Sequence, residues 1–286
     1  MRIFDPHIHM TSRTTDDYEA MRAAGVRAVV EPAFWLGQPR TSPDTFYDYF
    51  DSLIGWEPYR AAQLGIQHFC TIALNPKEAN DPRCLPVLDE LPRYLAKDRV
   101  VAVGEIGYDS MTKEEDEVLA RQLQLAVEHG LPVLVHTPHR DKEAGTRRSL
   151  DVVQESGIAP ELVVLDHLNE LTAGMVLDSG CWAGFSVYPK TKTKMSEERM
   201  VRILQKYGLD RVLINSAADW GSSDPLKTRK TGDAMLADGF GDDDVDRVLW
   251  RNPVAFYGQS GRLDLDEPEP DDTSSFEGNS IRRGGE

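Results

Sequence analysis

His7 and His9 stand one residue apart in FDPHIHM, at the end of a short apolar run. Residues two apart on a strand face the same way, so the two imidazoles would point together off the strand end, as a metal site needs. Alone, the pair reads as readily as two solvated or singly hydrogen-bonded side chains. The other ligand-type residues decide the matter by where they fall. Glu105 lies in VAVGEIGYD, His136 in PVLVHT, His167 in LVVLDHL and Asp219 in VLINSAADW, each at or near the end of an apolar run. Four of the seven histidines occupy such ends. Singly, each residue has an ordinary explanation: a hydrogen-bonded rim histidine, a salt-bridged Glu105, a helix-capping Asp219. Six together are costly unless something pairs with them, and a divalent cation does so.

Four imidazoles and two carboxylates exceed what one tetrahedral zinc requires. They suit two divalent ions (zinc, manganese or magnesium) bridged by one carboxylate and a water. Glu105 is the expected bridge, with His7, His9 and Asp219 meeting at one ion and His136 and His167 at the other.

The elements that must position these residues follow a simple rhythm. Near-continuous apolar runs such as RAVVEPAF, IQHFCTIAL and ELVVLDHL read as parallel strands buried on both faces. Between them, TTDDYEAMRAAG, EEDEVLARQLQLAVEHG and SEERMVRILQKYG start polar or acidic and stop at glycine, as helices do. Eight such units in roughly 250 residues predict an α/β protein of the (β/α)8 TIM-barrel type, with chemistry at the strands' C-terminal ends. A doubly wound open sheet is the alternative. One domain is expected over residues 1–260, closed by the helix DDDVDRVLWRNPVAFYG. A polar, acidic tail is expected over 261–286, disordered and without a catalytic role.

Composition narrows the partners. The 286 residues carry a net charge of −16, which disfavours nucleic acid and anionic membranes unless basic groups are gathered locally. The start of the chain lacks a signal-peptide pattern and no segment reaches the apolar length of a membrane span. Three scattered cysteines without CxxC spacing read as reduced thiols, so a cytoplasmic protein is expected. No oligomeric state follows.

With these residues in hand, the sequence resembles the TatD-like branch of the metal-dependent hydrolases in the amidohydrolase superfamily, over roughly residues 1–258. The resemblance rests on FDPHIHM, VGEIGYD, VLVHTPH, LDHL, the Asp after the eighth strand and RNPVAFYG. It implies His7, His9, Glu105 and Asp219 on the first metal, Glu105, His136 and His167 on the second, and Asp219 as the group that orients or deprotonates the attacking water. Two departures stand out. Where many relatives read ETDAP after strand eight this chain has SAADWG, so a Glu often credited with positioning substrate is Ala217. Its DHLNE replaces HCF or HSF.

Hydrolysis is expected from the residues themselves, because paired cations acidify a shared water and stabilise charge on the attacked oxygen. Asp219 and Glu105 are the expected catalytic carboxylates. Arg13, Trp35, Tyr108, His139, Lys190 and Trp220 are the candidate substrate residues. The leading expectation is a phosphoesterase, with the family's 3′ exonuclease activity as its specific form. Its rival is a hydrolase of a small metabolite, an amide, lactone or ester, and a non-catalytic metal-bearing barrel is the third reading.

Overall fold

The computed structural model describes residues 1–189 and 194–265. Its strands are β1 (Ile3–Asp5), β2 (Val26–Pro32), β3 (Gln67–Ile72), β4 (Val100–Gly107), β5 (Val133–His136), β6 (Val163–Asp166), β7 (Trp182–Ser186) and β8 (Val212–Asn215). All pair in parallel and in chain order. Ala217 N donates to His7 O at 2.9 Å and His9 N to Ala218 O at 2.9 Å, which brings the last strand back to the first. The (β/α)8 barrel is therefore formed, and the open-sheet alternative falls.

The helices are α1 (Thr15–Ala23), α2 (Asp44–Asp51), α3 (Glu57–Gln63), α4 (Val87–Leu95), α5 (Lys113–His129) and α6 (Lys142–Ser156), then α7 (Ala173–Asp178), α8 (Glu197–Tyr207), α9 (Lys227–Ala237), α10 (Asp242–Asp246) and α11 (Asn252–Gly258). Their starts follow the sequence signals. The side chains of Thr112 and Ser196 accept from the backbone N–H groups of Glu115 and Arg199, satisfying donors that a helix start leaves open. The aromatic stretch after β2 is helical from residue 44 to 63, where α2 runs through a π turn (Ser52–Trp56) into α3. Phe46, Phe50 and Leu53, at helical spacing, are all buried. Among the described residues no helix is long and apolar enough to cross a membrane.

Phe4, Ala28, Phe69, Leu134, Val164 and Leu213 form an inner cluster, and Trp250, Phe256 and Tyr257 of the closing helical segment join it. This fills the barrel with apolar volume and leaves the strands' C-terminal ends to polar groups. Leu263 and Leu265 pack on the same cluster, and Arg262 donates to Val100 O at 3.1 Å, so the packed chain runs past the expected boundary at 260. Residues 266–286 lie outside the described residues.

Candidate metal centre

β1 stops at Asp5, before Pro6, which has no N–H to give a ladder. His7 and His9 are therefore beyond the strand and not on it, as the sequence had suggested. Their segment is held between its neighbours, as Ile8 N donates to Val30 O at 3.1 Å on one side, while His7 and His9 bond residues 217 and 218 on the other. The two rings still converge, with Nε2 atoms 3.2 Å apart.

Glu105 reaches the same point by a different device. The register of β4 against β5 shifts between Gly104 and Ile106, so Glu105 is the extra residue of a bulge. Val103 and Ile106 both belong to the outer core, and the bulge frees Glu105 to turn inward. Glycine is required on both sides of it. A Cβ on Gly104 would stand 2.6 Å from Leu134 Cβ, and one on Gly107 2.2 Å from the His136 carbonyl oxygen.

Glu105 Oε1 lies 3.5 Å from His7 Nε2, 3.3 Å from His136 Nδ1 and 3.1 Å from His167 Nε2. Three groups of closely spaced ligand atoms result: His7, His9 and Glu105; Glu105, His136 and His167; and His7, Asp166 and His167. Glu105 belongs to the first two. The donor set fits divalent metal, since two ligands on one tetrahedral ion with bonds of about 2.0–2.2 Å stand ~3.4 Å apart. His136 Nε2 is buried and has no hydrogen-bond partner among the described residues, which leaves an imidazole nitrogen for such an ion. Burial pushes the His167 imidazole down to about 4, so it is neutral near pH 7 and keeps a lone pair to give. Burial alone would raise the Glu105 carboxyl, but the His7, His136 and His167 imidazoles hold it well below the usual range.

The sequence reading missed the groups that orient these ligands. Asp166 Oδ2 accepts from His7 Nδ1 at 2.6 Å, and Asp166 also accepts from Asn215 Nδ2 and His167 N. Although burial opposes it, the neighbouring His167 and His7 keep Asp166 ionised, so His7 Nδ1 must carry the proton. Ser186 Oγ lies 2.6 Å from His167 Nδ1, and Asn75 Nδ2 donates to Glu105 Oε2 at 3.1 Å. The signal for Asp166 was present: it stands two after inward-facing Val164, as Ser186 follows Gly184 and Asn215 follows Leu213. His167 faces inward too because its backbone turns at φ 62.

Asp219 lines the same cavity but is absent from the three ligand groups. Its Oδ1 accepts from Tyr188 Oη and from Gly221 N, both at 2.8 Å. The cavity, of about 200 Å³, is also walled by Phe34, Trp35, Trp220, Lys77 and His139. Across Lys77 and His139 it adjoins an outer chamber of about 500 Å³ that Arg140 and Met111 help to line.

Of the candidate substrate residues, Trp35, His139 and Trp220 face the cavity. Arg13 does not: its guanidinium pairs with Asp17 at 3.0 Å and donates to the Asp219 carbonyl at 2.8 Å, bracing that loop. Tyr108 is buried with its hydroxyl on Asp116, away from the cavity lining. Lys190 lies outside the described residues.

A family model described as TatD related DNase matches residues 4–238. A metal-dependent hydrolase of Methanocaldococcus jannaschii, named as uncharacterised, is 28% identical over 258 residues, 89% of this chain and 99% of that one. The solved structure of a TatD-like protein from Archaeoglobus fulgidus superposes with a TM-score of 0.75 at 28% identity, covering 89% of this chain and 99% of that one. The human protein named deoxyribonuclease TATDN3 is 30% identical over 131 residues, 42% of this chain and 43% of its own length.

Proposed function

The chain belongs to the TatD-related DNase family of metal-dependent hydrolases, and on that premise we propose that it hydrolyses a phosphoester at a centre of two divalent cations. The observation that carries this reading is the single Glu105 oxygen within 3.5 Å of three imidazoles drawn from three different strand ends. His7 and His9 would hold one cation, His136 and His167 the other, and Glu105 both. A nitrogen-rich set of this kind favours zinc over magnesium. Such a pair, when bound, supplies Lewis acidity that acidifies water and offsets charge building on the phosphoryl oxygens.

The chain's own residues do the rest. Asp166 holds the His7 proton on Nδ1 and so presents Nε2 to Glu105 and His9. Asp219, pinned at Oδ1 by Tyr188 and Gly221, orients the attacking water and accepts its proton. The water oxygen bonds to phosphorus, the bond to the leaving oxygen breaks, and the proton passes to that leaving group. The human relative's name, a deoxyribonuclease, supports phosphoester chemistry. The small, aromatic-walled cavity favours a second reading, a small-metabolite ester or lactone.

In this reading residues 1–260 are the catalytic unit and the acidic tail takes no part. The buried free thiols of Cys70, Cys84 and Cys181 support a reducing compartment, the cytoplasm. The test is hydrolysis of bis(4-nitrophenyl) phosphate by zinc- or manganese-reconstituted protein. Turnover that chelator abolishes and added metal restores is expected. Turnover of a lactone or carboxylic ester with none of the phosphodiester would move the assignment to the second reading.

A further inference from the structure

Three aromatic rings meet at the mouth of the inner cavity. Phe34 lies face to face on the His9 imidazole, with centroids 3.8 Å apart and planes at 19°. Trp220 stands 4.8 Å from Phe34 and 5.6 Å from Trp35 by ring centroids. These residues come from the two loops that follow β2 and β8, and the loops touch where Trp220 packs on Gly37. Core packing accounts for Phe34, which is buried. It does not account for Trp220, which is 49% exposed while lining the cavity. A half-exposed indole beside a reactive centre is a surface that a flat ligand can cover.

The space sets the size of that ligand. At about 200 Å³ the inner cavity is smaller than the ~300–1,000 Å³ of ordinary small-molecule sites and holds a reacting ester and little more than one ring, so a longer ligand has to extend past Lys77 and His139 into the outer chamber. Charge points the same way. Among the described residues Lys77 is the one lysine or arginine lining this cavity, and its ammonium is already paired with Asp109 at 2.6 Å. Among the described residues lining this inner cavity a long polyanion finds no cationic track, whereas a single phosphoryl group needs only the metal centre.

We propose that the substrate is a small phosphoester bearing one flat ring, which stacks on Trp220 with Trp35 at its edge while the ester faces Glu105. This rests on the hydrolase reading above and narrows its substrate class. The ring chemistry is shared by a nucleobase and a simple aryl group.

Binding to the zinc-loaded full-length protein, followed by calorimetry, tests this without requiring turnover. The probes are phenylphosphonate, methylphosphonate and thymidine 5′-monophosphate. Wild-type protein should bind phenylphosphonate about tenfold or more tightly than methylphosphonate. In Trp220→Ala that advantage should fall below about threefold, and in Trp220→Phe it should largely persist. Thymidine monophosphate binding more tightly than phenylphosphonate assigns the ring to a nucleobase; the reverse order assigns it to an aryl group. No phenyl advantage in wild type, or an undiminished one in Trp220→Ala, overturns the proposal. If ring-dependent binding holds while no ester is turned over with any metal, the hydrolase reading falls and the stacking site stands.

Discussion

The position of one proton decides whether His7 can serve. Asp166 accepts at 2.6 Å from Nδ1, which leaves Nε2 directed at Glu105 and His9. Removing the charge while keeping the shape should weaken that arrangement without unfolding the barrel. Asp166→Asn is expected to bind zinc about 10–100-fold more weakly than wild type, as seen by competition with a chromogenic chelator. Unchanged affinity would mean that His7 is oriented by something else. At this scale the residues that gather around Glu105 were legible in the sequence and their supports were not. Histidine and glutamate at strand ends announce themselves as a set, since each alone has an ordinary role there and the cluster does not. Asp166, Ser186 and Asn75 have many ordinary uses, and only their inward positions, known once the strands are placed, single them out. Arg13 and Tyr108 mislead for the same reason: both sit near the right strand ends, yet Asp17 and Asp116 claim their polar groups.

At the scale of elements, the GEIG segment shows how local backbone builds the centre. The bulge at Glu105 needs both neighbours to lie against β5, and Gly107 holds φ at 132° with no room for a Cβ. Gly107→Ala should cost about 1–3 kcal/mol of stability, measured by urea denaturation, because either the His136 carbonyl or the bulge must move. It should lower metal content as well. A variant with wild-type stability and full metal would show that the bulge tolerates the added methyl. The sequence located all eight strands by their apolar runs, but it did not show the bulge, since the motif reads as a regular strand. The helix after β2 was also hidden. Pro43, Gly55 and Pro58 suggest breaks, yet the burial of Phe46, Phe50 and Leu53 against the barrel outweighs them, and the rod continues through a π turn.

For the whole molecule, the cost of burying charge behind the site should be visible in its pH dependence. Lys142 Nζ donates to Thr137 O and Oγ1, both at 2.9 Å, and burial pushes its ammonium down to about 7. Between pH 7 and the ordinary lysine value of 10.5, the unfolded chain holds a proton that the folded chain has lost. Stability therefore gains from Lys142 as pH rises through this window, by up to about 1.4 kcal/mol per pH unit. Urea denaturation at pH 7, 8 and 9 should show Lys142→Met with a lower slope than wild type; equal slopes would remove this lysine from the balance. The barrel itself was readable because its chemistry clusters at the same end of five of the eight strands, a regularity that survives errors in any single element.

The central claim is that Glu105 joins two cation sites. Elemental analysis of wild-type protein, stripped by chelator and reconstituted with zinc, tests it most directly. Close to two zinc ions per chain is the expected result, and one or none would contradict it.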